Sequence, residues 1–188
     1  MSIDWDGYEP YEPRVVGPLK ALGRAEARLV FKRCMETRGA RIEVLRHLLK
    51  ANGVELGADD AAVQDLNDWF FASVEPDPEQ PGQPRPEWYA VIHDVALFLG
   101  EAMLERHPNL YWEFFTWGKT NVAFQRHVIM GFSTEDPKFR TNIDIDRMVA
   151  TYAYQIVEAQ GSIPSYGIVE IRGTKVDVDA AAARHRSP

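Results

Sequence analysis

The residues with the greatest chemical potential are five histidines, one cysteine and a set of acids around position 94. The histidines (47, 93, 107, 127 and 185) include no i,i+4 pair, so no two share a helical face as an HExxH zinc site requires. A transition-metal centre would have to be assembled by tertiary structure, and neither a metal nor a cofactor is expected from spacing. Asp94 and Glu101 fall on one helical stripe, but at 1.5 Å per residue their backbones stand about 10.5 Å apart. Paired glycosidase carboxylates lie roughly 5–9.5 Å apart. Glu101 and Glu105 are closer, yet an i,i+4 acid pair is ordinarily a solvated face. No GxSxG, GxxxxGK[ST] or GxGxxG occurs, so motifs assign no catalytic residue. Cys34 sits with Phe31 and Met35 in an apolar helical pattern, where a thiol is expected to be buried and inert.

His93-Asp94 invites comparison with the metal-dependent HD phosphohydrolases, whose ligands are a His, a His-Asp pair and a later Asp. His47 upstream and Asp144 or Asp146 downstream complete that set on paper. The family is all-helical, however, and strand candidates follow His93 here. Neighbours on a helix also point about 100° apart, so His93 and Asp94 reach one site only at a bend. The alternative is that His93 borders the core and finds a hydrogen bond.

Charge is unevenly distributed. From Arg14 to Lys50 ten Lys/Arg stand against three acids, giving +7; with −7 overall, the remainder carries −14. Lys20, Arg24, Arg28 and Lys32 recur every four residues and would line one helical face, at a cost of about 0.2–0.5 kcal/mol per like-charge neighbour. Three destinations are open to that stripe: solvent, the acidic remainder of its own chain, or an anionic partner such as nucleic acid. A pI near 5.3 and the lack of a nucleic-acid-binding motif make nucleic acid the least expected. Upstream, Trp5, Tyr8 and Tyr11 alternate with Asp4, Asp6, Glu9 and Glu12. Those rings suit either a linear motif that anchors a partner or packing onto their own domain.

The elements that must position these groups follow from composition and periodicity. With 188 residues, 45% of them hydrophobic, the chain can bury the core of one compact domain without disulfide or metal. Residues 1–17 read as a polar leader and 18–74 as helical. Asn52-Gly53 marks a helix stop, and Asp59 or Asp60 a cap for the next helix. Gly39 either divides the first helix or lies within it. Five prolines in 75–87 predict an extended, exposed connector. Residues 88–178 read as α+β: a largely buried helix from Trp88 to Arg106, strands over Tyr111–Trp117 and Val122–Phe132 with a turn at Gly118–Asn121, and a helix capped by Asn142 or Asp144 that stops near Gly161. A last hairpin is expected at 166–178 and a loose tail at 179–188. The opening residues lack the basic and apolar regions of a secretory signal, and Val95–Leu99 is far short of the ~20 residues that span a bilayer. A cytoplasmic protein outside the membrane is expected.

The run Asp94-Val-Ala-Leu-Phe-Leu-Gly-Glu101, followed by Pro108 and a strand bearing Trp112, resembles uncharacterised bacterial domains that include immunity-type proteins of polymorphic toxin systems. The resemblance covers about 88–157. It implies a stoichiometric binder and transfers no catalytic residue. The reading reached is an α+β fold, with N-terminal helices beside a small antiparallel sheet and a central buried helix. The leading function is non-enzymatic binding of a protein partner. Its candidate surface is Asp94, Glu101, Glu105, Trp5, Tyr8, Tyr11 and the Lys20, Arg24, Arg28, Lys32 stripe. A metal-dependent hydrolase around His93/Asp94 and a nucleic-acid binder acting through Lys20–Lys32 are the alternatives.

Overall fold

The structure, a computed structural model, describes residues 3–5, 7–15, 17–133 and 141–161. After a single 3-10 turn at Leu19–Ala21, four helices and two strands follow: α1 (Arg24–Ala51), α2 (Asp60–Ser73), α3 (Pro86–Arg106), β1 (Tyr111–Phe114), β2 (His127–Met130) and α4 (Ile145–Gly161). The fold is α+β, with helices preceding a two-stranded antiparallel sheet. The hairpin expected at 166–178 and the tail at 179–188 lie outside the described residues.

Helix α1 runs unbroken through Gly39, where an added Cβ would meet open space. It ends where Gly53 takes φ +77° and Val54 N–H donates back to Leu49 O at 2.9 Å, which satisfies carbonyls that the helix end would orphan. Asp59 is the cap of α2; its Oδ1 accepts from Ala61 and Ala62 N–H at 3.0 Å each. Helix α3 packs against both α1 and α4, and this central position is why it is apolar on almost every side. Gly100 lets Trp112 of β1 lie directly on it: an added Cβ would collide with the indole ring. One core cluster draws on Leu45 and Leu49 of α1, Leu66 and Phe70 of α2, Val91 and Val95 of α3, Ile129 of β2 and Val149 and Ile156 of α4.

Three expectations need correction. The first concerns β1, which ends at Phe114, short of the expected Trp117. Residues 75–87 are not an extended connector. Pro76 and Pro84 form an antiparallel bridge, Arg85 N–H donates to Glu75 O at 3.0 Å, and an Arg85–Glu75 ion pair at 3.1 Å closes the neck of the loop. The second strand is also shorter than its apolar alternation implies. Ala123 N–H bonds Asn121 Oδ1, and Gln125 adopts φ +65° while its amide donates to the carbonyls of Leu19 and Leu22. Those side-chain bonds hold 121–126 largely as turns, so the regular strand begins only at His127, although Phe115 still exchanges backbone bonds with Gln125 and Arg126 at 2.7 and 3.0 Å.

Strand β2 is buried along its whole length because it is flanked on both edges. Tyr111–Phe114 pairs with it on one side, and Ile143 bridges Ile129 on the other. That second pairing is antiparallel, so the chain from Ile143 to Asp146 runs back alongside Ile129 to Arg126. Asp144 then begins α4 by accepting from Arg147 N–H at 3.1 Å.

Candidate functional site

The antiparallel return of 143–146 beside β2 brings an acid on the first turn of α4 against a histidine on β2, and α3 supplies a second histidine. His127 Nε2 lies 2.9 Å from Asp146 Oδ2, and His93 Nδ1 lies 3.3 Å from both Asp146 oxygens. One ligand atom from each of the three residues falls within 4.8 Å of the others. His127 is 7% exposed, and its Nε2 meets no hydrogen-bond geometry despite its closeness to Asp146. It is a buried nitrogen whose close partner is the Asp146 carboxylate.

Aromatic packing holds both imidazoles. Tyr11 stacks on His93 at 4.3 Å, His127 meets His93 edge-on at 5.8 Å, and Trp112 lies 5.8 Å from His127 on its other side. The remaining nitrogen of His93, Nε2, is 4.0 Å from Cys34 Sγ. Burial pushes the Cys34 thiol up to about 12, and the nearby Asp146 charge adds to this. As expected from the sequence, Cys34 is buried, at 2% exposure. Burial alone would raise the pKa of Asp146, but His127 and His93 hold it well below the usual carboxylate range. Burial disfavours protonation of His127, yet the Asp146 carboxylate lifts its pKa above the ordinary imidazole value.

Two of the three, His93 and Asp146, line an open cleft of about 340 Å³, while His127 is buried and does not line it. Ile92, Val122 and Ala150 make an apolar wall, and Arg126 and Arg147 a cationic one. Arg126 is held in a fork by Asp144, at 2.5 and 3.2 Å, and lies 3.9 Å from Asp146. Arg147 is exposed and is in no ion pair among the described residues.

The sequence-derived candidates are distributed otherwise. Asp94 is fully buried, and its carboxylate is gripped by Arg41 at 2.8 and 2.5 Å and by Tyr8 Oη at 2.7 Å. It meets Arg41 of α1 and Tyr8 of the leader, about 100° around α3 from His93, whose ring borders Cys34 of α1 and Asp146. Asp94 is thus an internal strut and not a surface contact. Glu101 pairs with Arg38 at 3.0 Å and accepts from Trp112 Nε1 at 2.7 Å, whereas Glu105 is exposed. The leader is strapped to its own domain. Trp5 meets Trp88 edge-on at 5.4 Å, Asp4 and Asn52 exchange two 2.9 Å bonds, and Glu9 O accepts from Arg41 at 2.8 Å. Trp5, Tyr8 and Tyr11 therefore do not form a free linear motif.

Lys20 belongs to the 3-10 turn, so the basic face of α1 comprises Arg24, Arg28 and Lys32, all exposed. Its one ion pair among the described residues is Lys32–Glu36 at 3.6 Å on the same helix, and Arg28 lies 5.4 Å over the Phe114 ring. The basic segment does meet the chain's acids, but through Arg38 and Arg41. His47 is exposed and contributes nothing to the cluster. His127, Arg126 and Arg147 carry no motif. The one available signal was Asp144-x-Asp146 at a helix start, which acquires meaning only through the Ile129–Ile143 pairing. No described helix is long and apolar enough to cross a membrane. In comparisons with protein-family models, curated proteins and solved structures, nothing matches this chain.

Proposed function

We propose that this protein is a metal-dependent hydrolase whose ion is held by His93 Nδ1, His127 Nε2 and the Asp146 carboxylate. The observation that carries this reading is the convergence of two imidazoles and one carboxylate, with ligand atoms within 4.8 Å of one another, of which His93 and Asp146 line an open cleft. Two imidazoles and one carboxylate suit zinc or another first-row ion, and such sites keep further positions open for water or substrate. Ligand atoms about 2.0–2.2 Å from zinc stand about 3.4 Å apart at the tetrahedral angle. The Asp146–imidazole distances of 2.9 and 3.3 Å therefore need little adjustment. An ion there would supply an activated water, and hydrolysis would place its OH on the acyl or phosphoryl centre and its proton on the leaving alcohol. Tyr11, Trp112 and the Asp144–Arg126 fork hold the set in place. The lone thiol of Cys34 suits a reducing cytoplasmic setting.

The test is titration of metal-stripped protein with Zn²⁺ and Co²⁺ by calorimetry, followed by assay of the loaded protein on ester substrates. One ion per chain is expected, with binding lost in His127→Ala and Asp146→Asn. Absence of stoichiometric binding by folded protein overturns the reading.

A second reading, stoichiometric binding of a protein partner in the manner of an immunity protein, is favoured by one observation. The solvent face of α1 presents Arg24, Arg28 and Lys32 around Leu29, which is 66% exposed. Such a face suits an acidic partner with an apolar centre. If it holds, Leu29→Asp with Arg28→Glu abolishes capture of one defined prey that wild-type protein retains.

A further inference from the structure

We infer that the same cleft binds a tetrahedral phosphoryl head on a short apolar body, and that it does so only with its ion in place; the inference rests on the metal reading above. Charge balance makes the binding conditional. Arg126 and Arg147 are cations on the cleft wall, and Asp144 and Asp146 cancel them. These four side chains sum to no net charge, so by themselves they offer an anion in the empty cleft little attraction. A divalent ion turns it into a strongly positive, partly enclosed site.

The arrangement of the two arginines sets the contacts. Arg126 is committed to Asp144 through a fork at 2.5 and 3.2 Å, so it orients but does not reach out. Arg147 is exposed on the first turn of α4, lines the cleft and is in no ion pair among the described residues. Its guanidinium is the group free to take two oxygens of a phosphoryl head. The amino end of α4 adds its partial positive charge on the same side. Ile92, Val122 and Ala150 form a wall for the organic part, and about 340 Å³ admits a ligand the size of a phenyl phosphate. A phosphomonoester thus places its phosphorus between the ion and Arg147, with its ester group against the apolar wall.

Phenylphosphonate, which cannot be hydrolysed at its P–C bond, is the probe. Full-length protein loaded with Co²⁺ is titrated while the visible absorption of the ion and the heat of binding are followed, with metal-free protein in parallel. The expected result is saturable binding that perturbs the Co²⁺ spectrum, is at least tenfold weaker without metal, and weakens about tenfold in Arg147→Ala through loss of one charge-assisted contact. Arg147→Ala should retain the Co²⁺ affinity of wild type. A normal Co²⁺ spectrum with no response to phenylphosphonate overturns this inference alone, as does equal affinity in Arg147→Ala or in metal-free protein. Equal affinity for benzoate overturns the assignment of a phosphoryl head. Failure to take up Co²⁺ removes the metal reading and this inference together.

Discussion

Tyr8 Oη donates a 2.7 Å hydrogen bond to Oδ2 of Asp94 across 86 residues of sequence, and Arg41 holds the same carboxylate from the other side. The three side chains join the leader, α1 and α3 around one fully buried acid. Removing one partner of a buried pair leaves a charge without compensation, at about 3–5 kcal/mol. Asp94→Ala is expected to lower stability by that amount in urea denaturation. The double replacement Arg41→Met/Asp94→Leu should cost markedly less, because it removes both charges. A double variant as unstable as the single would refute this assignment.

Alkaline pH probes the same contact. Burial raises the Tyr8 pKa above the ordinary tyrosine value of 10.0, and the Asp94 carboxylate raises it further. The folded state thus keeps its proton where the unfolded chain has lost it. This contribution is complete below pH 10 and is lost as pH rises from there toward the folded pKa. The stability difference between wild type and Tyr8→Phe should therefore shrink above pH 10. A difference independent of pH between 8 and 11 would show that the phenol is not held protonated.

Gly100→Ala tests packing of α3 against β1. In an exposed helix the change stabilises by about 1 kcal/mol, but here the new methyl would enter the space of the Trp112 ring. Overpacking costs about 1–3 kcal/mol, so a net loss of thermal stability is expected. It should be accompanied by a change in tryptophan fluorescence as the Trp112–Glu101 hydrogen bond is displaced.

Arg24 opens α1 and is exposed. Arg24→Glu should be neutral or slightly stabilising, since an acid suits a helix start and one like-charge neighbour is removed. Mixed-sequence DNA or RNA should give no fluorescence-anisotropy signal at low salt. Binding that falls steeply with salt and disappears in an Arg24→Glu/Arg28→Glu variant would instead establish a phosphate-tracking face.

Cys34, at 2% exposure and with its thiol pushed up to about 12, should resist DTNB until the chain is denatured. Rapid stoichiometric labelling of native protein would place the 34-bearing face of α1 in solvent.

Local chemistry made much of this protein legible from its sequence. Helical periodicity, the cap at Asp59, the stop at Asn52-Gly53 and the apolar girth of 88–106 depend on neighbours within one or two turns, and the structure bears each of them out. The α+β class and the burial of Cys34 follow from the same short-range patterns. The length of β2 did not, because Gln125 finds its partners at Leu19 and Leu22, more than a hundred residues away. Nor did the fate of the charges: the spacing of Lys20, Arg24, Arg28 and Lys32 drew attention, yet Arg38 and Arg41 meet Glu101 and Asp94. The candidate site is wholly a product of tertiary structure. Its ligand atoms come from positions 93, 127 and 146 on three elements, and the antiparallel pairing of Ile143 with Ile129 decides that an acid on one meets a histidine on another. Helical offset turns Asp94 about 100° from His93, so the most conspicuous His-Asp pair in the sequence is split between a cleft and a buried ion pair.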